Sequence, residues 1–288
     1  MATRTATTTA ITAIGTMLHY DFMRNAFAAA GIVAAVAGVV GYFVVLRAQA
    51  FAGHALSHVG FAGATGALLI GLPPLAGLLV LSVGAGVAMG LLGDRLAQRD
   101  LAIGMVLALA LGLGLLFVHF YTAGANQATA LLFGNVLAVG RATLGWLALL
   151  ALACLALMAA MARPLVFATL HPELAEAKGV SLRLLGVLFL ATVGIAVAEA
   201  SQIVGVLLVF TLLIGPAATA TRLTGRLGAG VLLAAVLALA EAWAGLVLAY
   251  YTDWPASSWI TLVSVAAYGL SLLPRGRRVA AAAHQHGG

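Results

Sequence analysis

The chain has 288 residues, of which 64% are hydrophobic and 8% charged, and its mean hydropathy is +1.13. A soluble domain carries roughly a quarter charged residues, so this composition excludes a water-solvated globule and makes lipid the solvent. The formal net charge of +6 comes from basic residues scattered between apolar runs, with neither a basic stripe nor an aromatic platform, which excludes nucleic acid as a partner.

Residues 1–24 are read as a flexible or interfacial N-terminal segment. They are Thr-rich and lack the basic region and apolar stretch of a cleaved signal. From there to residue 273 the chain reads as one transmembrane domain. No Asp, Glu, Lys or Arg occurs between Arg24 and Arg47, between Arg47 and Asp94, between Asp100 and Arg141, or between Arg141 and Arg163. Each gap holds one or two helices of about 20 residues, the length that crosses hydrocarbon. The runs are rich in Leu, Ala, Val and Gly and too long for barrel strands, so the backbone must satisfy itself in helices. Spans are predicted at 25–46, 54–72, 75–93, 101–120, 143–162, 182–200, 203–221, 228–250 and 257–273. Pro73-Pro74 marks the turn between the second and third. Residues 129–140 are apolar but short and read as a partial or re-entrant helix.

The predicted fold is therefore all-α, a polytopic transmembrane bundle of about eight or nine spans. The stretch 163–183 reads as the longest polar connection. Within it, His171, Pro172 and Glu173, followed by Ala177 and Gly179, predict a short helix with Pro in its first turn and Gly at its C-terminal cap. Such a surface helix suits docking to a cytoplasmic partner. Residues 274–288 read as a disordered tail, and His284 and His286 in it either scavenge metal weakly or are inert.

Orientation follows from the basic residues. With the C-terminus inside, Arg47, Arg95, Arg99, Arg163, Lys178, Arg183, Arg222, Arg226, Arg275, Arg277 and Arg278 are cytoplasmic, and Arg4, Arg24 and Arg141 are outside. This is a strong positive-inside bias. It puts Tyr250, Tyr251, Trp254 and Trp259 at the outer interface, where such rings are favoured. The chain is accordingly expected in the cell membrane, plasma or inner, as a multi-pass protein.

The strongest local signal is His54-Ala-Leu-Ser-His58. Two imidazoles four residues apart share a helical face, about 6 Å apart, and can bind one metal ion. Ser57 stands beside them and Thr65 two turns on. The polar strip should face protein or a water-filled path. The other reading is two interfacial histidines satisfied by backbone carbonyls. Glu199 and Glu241 are the acids within or at the end of predicted spans, where a carboxylate costs about 2.5–3.5 kcal/mol. Each reads as a stop for a cation or a proton-linked group. Otherwise Glu199 is a water-exposed helix end, and Glu241 a buried acid bonded to a neighbouring helix. Pro216 after Gly215 frees a carbonyl and kinks its span, as a gating hinge or as packing. His119 reads as interfacial. Cys154 reads as a small core residue, and as the single cysteine it can form no disulfide within the chain. Pairs such as Gly31 with Gly38, and Gly84 with Gly86 and Gly90, suit close helix packing. No GxxxxGK[ST] nucleotide-binding sequence occurs, so an ATPase would be another chain.

Three stretches resemble the permease subunits of bacterial zinc, manganese and iron ABC importers. Phe43-Val-Val-Leu-Arg47 with Gly53-His-Ala-Leu-Ser-His58 is similar to an apolar run ending in basic residues and then G-D-A-L-S-H. Leu131-Leu-Phe-Gly-Asn135-Val-Leu-Ala-Val139 is similar to L-F-G-[DNS]-x-L-A-V. His171-Pro-Glu-Leu-Ala, with Gly205-Val-Leu-Leu-Val and Gly215-Pro-Ala-Ala-Thr219-Ala, resembles the family's D-P-E-L-A and G-V-L-L-V…P-A-A-T-A. The resemblance implies a homodimer, two cytoplasmic ATP-binding subunits and an extracytoplasmic metal-binding protein. It also implies that residues 171–180 meet the ATPase, and that His54 and His58 contact the ion. It implies no permanently bound cofactor and no covalent chemistry on this chain; the metal is cargo. The chain departs from the family at His54 and His171, where Asp is usual. A borderline nitrogen in place of a hard oxygen tilts the expected cargo toward zinc over manganese. Alternatives are a permease for a metal chelate such as a siderophore or cobalamin, and a gradient-driven secondary transporter. The latter would show more intramembrane carboxylates and an inverted repeat.

Overall fold

The computed structural model describes residues 19–92, 96–120 and 130–273. The predicted tail at 274–288, with His284 and His286, lies outside the described residues, as do residues 1–18 of the N-terminal segment. Every predicted span corresponds to a helix: α1 (Asp21–Leu46), α2 (Ala50–Leu69), α3 (Pro74–Leu92), α4 (Leu96–Phe120), α5 (Arg141–Leu170), α7 (Leu182–Val204), α8 (Val209–Leu223), α9 (Leu227–Thr252) and α10 (Ala256–Leu272). Between α5 and α7 stands α6 (Pro172–Ala177). Six helices are long and apolar enough to cross a membrane: α1, α3, α5, α7, α9 and the Ile103–Phe120 part of α4. The helix α2 is long but carries the polar residues of the candidate site, and α8 and α10 are shorter apolar helices.

Burial divides the helices into two classes. In their most apolar windows α1 and α7 are each 67% buried, whereas Ile103–Phe120 of α4 is 17% buried. The first two are the axis of the bundle; α4 presents Leu101, Met105, Leu109 and Leu115 outward, as a lipid-facing helix must. Leu packed against lipid gains as much as Leu packed against Leu, so the helices associate by close backbone approach instead. α2 crosses α3 where Gly63 meets Gly77, and a Cβ on either would overlap the other's carbonyl. α3 lies on α7 with Gly86 against the Leu190 carbonyl and Gly90 against Val187. α1 meets α9 at Gly38 and α8 at Gly41. Of the glycines flagged as packing signals, Gly84 faces open space. Gly77→Leu is expected to push α3 off α2 and to lower the melting temperature of the protein in detergent. Overpacking costs typically about 1–3 kcal/mol, and a thermal scan by fluorescence-detected size exclusion measures it. An unchanged transition would remove this crossing from the account.

The sequence reading ends its fifth span at residue 162 and assigns 163–183 to a polar connection. The structure continues α5 through Arg163 and Pro164 to Leu170. Leu165 and Ala168 are buried against the bundle, and this packing carries the helix past a proline that would otherwise end it. The polar connection is thus confined to residues 171–181. There α6 forms as predicted. Pro172 occupies its first turn, and Gly179 takes φ +81° just past its end. The Gly179 amide donates to the Glu176 carbonyl at 2.8 Å and the Val180 amide to that of Ala175 at 2.9 Å. Together these two bonds form a Schellman cap.

The expected partial helix at 129–140 is two pieces: a helical turn at 130–133 and a 3-10 turn at Val136–Ala138, separated by Gly134. This segment pairs with the break between α7 and α8. The Val206 amide donates to the Leu131 carbonyl and the Leu207 amide to that of Leu132, each at 3.2 Å. Gly134 (φ +80°) and Gly205 (φ +87°) stand back to back, and a Cβ on either would run into the other strand's backbone. Two of the three sequence motifs thus meet in one backbone contact. At the aromatic end of the bundle Trp254 stacks on Trp259 with 5.5 Å between centroids, and Trp259 Nε1 donates to Thr252 Oγ1 at 2.7 Å. His119 is exposed beside Phe120, as an interfacial residue would be.

Candidate metal-contact site

The turn that launches α2 is held tightly. Arg47 caps α1, its guanidinium lies 5.3 Å from the Phe189 ring of α7, and one of its nitrogens donates to Thr169 Oγ1 of α5 at 3.4 Å. Ala48 takes φ +52°, and the Gln49 amide returns to the Val44 carbonyl at 2.9 Å. α2 therefore starts at a set angle against α1, α5 and α7. Its next residues are almost wholly enclosed: Ala52, Gly53, Ala55, Leu56, Ser57, Val59 and Gly60 are buried. Phe51, His54 and His58 are the residues left exposed or half-buried over these two turns. They lie at i, i+3 and i+7, a single stripe along the helix.

The two imidazoles face each other on that stripe. Their centroids are 4.8 Å apart with the rings edge to face, and Phe210 of α8 stands 5.3 Å from His54 on its other side. Among the described residues no backbone carbonyl accepts a hydrogen bond from either ring, so the reading of two carbonyl-satisfied histidines has no partner atoms here. Ser57 and Thr65 do not extend the strip. Ser57 Oγ donates to the His54 carbonyl at 2.7 Å and Thr65 Oγ1 to the Phe61 carbonyl at 2.9 Å, and both are buried in their own helix. Phe210 was missed in sequence, because one Phe in an apolar run carries no mark of its neighbour.

The carboxylates are elsewhere. Glu199 is fully buried on α7 and feels the Cys154 thiol of α5. Burial rules out water exposure at a helix end. Cys154 itself is a core residue, its Sγ 3.6 Å from the Thr192 carbonyl. Glu241 on α9 is 2% exposed and lies beside Ser264 of α10, yet neither its oxygens nor the Ser264 hydroxyl makes a well-directed hydrogen bond. Ser264 is itself pressed on Gly215 of α8, next to Pro216. Among the described residues no three His, Cys, Asp or Glu side chains gather closely enough to hold a metal ion. The structure thus brings His54 and His58 together and leaves Glu199 and Glu241 apart from them and from each other. A cavity of 560 Å³ between Phe22, Phe133, Tyr250 and Trp254 contains none of these four residues.

This arrangement offers two imidazole nitrogen donors on a half-open face, which is half of a four-coordinate site. Comparison with known proteins bears on what such a face is for. The ABC 3 transport family matches residues 19–274. The manganese transport system membrane protein MntC of Halalkalibacterium halodurans is 32% identical over 257 residues, covering 88% of this chain and 88% of the relative. The manganese import system permease protein ScaB of Streptococcus parasanguinis is 27% identical, covering 90% and 94%. Among solved structures, PsaBC from Streptococcus pneumoniae in complex with Fab superimposes with a TM-score of 0.81 at 26% identity, over 91% of this chain and 95% of that one.

Proposed function

The chain belongs to the ABC 3 transport family of multi-pass membrane permeases, and from that premise we propose that it is the membrane-spanning subunit of an ATP-driven importer of divalent transition-metal ions. The observation that carries the proposal is the His54–His58 pair, 4.8 Å apart on the one stripe of early α2 that the bundle leaves open. A polar pair on a lipid-embedded helix must face protein or a water path. A second copy of the chain opposed across this stripe supplies two more imidazoles and completes a tetrahedral set. Ligands drawn half from each copy also let the site open when the copies rock apart, as release requires.

In this reading all the helices named above except α6 cross the membrane, which keeps the N-terminus outside and α6 inside. α8, with 15 residues, is only about 22 Å long. The turn before it therefore lies at membrane depth, where non-helical backbone is tolerated only when covered by protein. Val206 there is 1% exposed and its backbone is paired, which fits. On the inner face α6 presents His171, Glu173, Leu174, Glu176 and Lys178 and buries only Ala175. A short capped helix with so little of itself in the bundle is suited to transmit a push from a cytoplasmic ATP-binding subunit. Gly215 and Pro216 are the hinge nearest the ion path. An extracytoplasmic metal-binding protein delivers the ion at the aromatic end.

The relatives' names point to manganese, whereas two nitrogens at the first contact favour zinc. The test is uptake of radiolabelled zinc and manganese by cells lacking their own metal importers and expressing this chain with its partner subunits. Uptake should stop when ATP is depleted with the membrane potential held, and should survive a protonophore when ATP is held. The reverse pattern would make the chain a gradient-driven transporter. Mutual competition of the two unlabelled ions ranks the cargo.

A further inference from the structure

The 560 Å³ cavity at the aromatic end of the bundle has two unlike parts. Its floor is apolar: Met23 of α1, Val136 of the 3-10 turn, Ile203 of α7 and Leu246 of α9 line it, and each is buried. Its rim is aromatic. Phe22, Phe133, Tyr250 and Trp254 border it, and all are between 41% and 58% exposed. Trp254 is held by its stack on Trp259, and Tyr250 packs edge to face on Tyr251 with 5.4 Å between centroids. Among the described residues the cavity has one charged side chain, Asp253, and no basic one. Asp253 follows the last residue of α9 with φ +56°, and its amide donates to the Ala249 carbonyl at 3.0 Å. Its carboxylate has no ion pair among the described residues. The last carbonyls of a helix already carry partial negative charge, so a cation is favoured there and an anion disfavoured. A carboxylate at the end of the 26-residue α9 adds to that charge instead of offsetting it. Asp253 and the end of α9 thus give one spot of negative potential, bordered by aromatic rings, whose faces also attract cations.

We propose that this cavity binds an aminophospholipid, with the primary ammonium headgroup at Asp253 and the apolar body of the lipid over the buried floor. The inference needs the chain to stand in a membrane and does not depend on which ion it carries. Three features select this occupant. The volume falls within the range of small-molecule sites, about 300–1,000 Å³, and a single Lys or Arg side chain from a partner protein would leave most of it empty. Tyr and Trp collect where the lipid headgroups lie, so a cavity rimmed by Tyr250 and Trp254 opens at headgroup depth. A primary ammonium donates three hydrogen bonds and a carboxylate accepts them, whereas a quaternary ammonium donates none. Asn135 lines the same cavity and carries amide N–H groups, the donors that a lipid phosphate requires.

The full chain in detergent is titrated with phosphatidylethanolamine, phosphatidylcholine and phosphatidylglycerol of identical acyl chains, and bound lipid is counted by native mass spectrometry. Phosphatidylethanolamine should bind about tenfold more tightly than phosphatidylcholine, the effect of hydrogen bonds to a charged group. The anionic phosphatidylglycerol should bind most weakly. Asp253→Asn should remove the preference for ethanolamine over choline and still fold, because Asn is readily accepted at left-handed positions. Trp254→Ala should weaken the ethanolamine and choline lipids alike, since attraction of a cation to a ring face needs no N–H. Free ethanolamine at millimolar concentration, which lacks the apolar body, should displace neither. Equal binding of the three lipids, the result that a cavity reserved for a protein partner would give, overturns the proposal. So does an ethanolamine preference that Asp253→Asn leaves unaltered, or displacement of the lipid by free ethanolamine. Failure of the transport reading is seen separately, as absence of ATP-dependent uptake in cells, and moves none of these affinities.

Discussion

Metal uptake is expected to collapse when His54 and His58 are both replaced by alanine, with the amount of protein in the membrane unchanged. The two side chains make no hydrogen bond within the bundle and lie half-open on the α2 stripe, so their removal leaves little cavity and orphans no buried partner. Stability should therefore hold, and the loss is one of ligands. Losing even an outer-shell partner typically costs about 10–100-fold in metal affinity, and losing the donors themselves costs more. The two single variants should not add. If both nitrogens hold one ion, the first loss removes most of the function and the second little more. His54→Asp is the informative exchange, since it restores the acid that the resembled permeases carry at this position. Uptake should survive in this variant, with competition shifting from zinc toward manganese as a hard oxygen replaces a borderline nitrogen. Normal uptake by the double alanine variant, at normal expression, would remove the pair from the ion path.

Gly205→Ala is expected to abolish folded protein rather than to reduce its activity. Gly205 has φ +87° and ψ +156°, a region of backbone space open in practice to glycine alone, costing of order 1–3 kcal/mol for other residues. The added methyl would also meet the backbone of Leu132–Gly134, and the same holds for Gly134→Ala against Ile203–Gly205. Either change pries apart the pairing of Leu131 and Leu132 with Val206 and Leu207. Those amides and carbonyls have no water to turn to at membrane depth, so each broken bond is left unsatisfied. The measurement is the yield of monodisperse protein after detergent extraction, with Gly84→Ala as the control, because Gly84 faces open space. Normal yield of either variant would show that the two segments do not pair in the membrane.

Much of this architecture is legible before any coordinates. The nine apolar runs become nine helices because their residue types leave the backbone no other way to bond in lipid. The Pro172-to-Gly179 element reads correctly because a first-turn proline and a terminal glycine act locally. The end of α5 does not. Pro164 signals a stop, and only burial of Leu165 and Ala168 against other helices carries the chain past it. Glu199 illustrates the same limit. Its place near a helix end suggests water, but the break at Gly205 and the segment at 130–135 close over that end.

By itself the sequence determined the solvent, the helices and the spacing of two imidazoles on one face, all of which are properties of composition or of neighbours within a helical turn. Only the tertiary structure decided that this face is the open one, that Phe210 closes one side of it, that Arg47 anchors its start on Thr169 and Phe189, and that the Leu131 and Gly205 motifs are a single contact. Helical periodicity states which residues share a side. What stands opposite that side is set by packing between segments remote in the chain, and no local pattern records it.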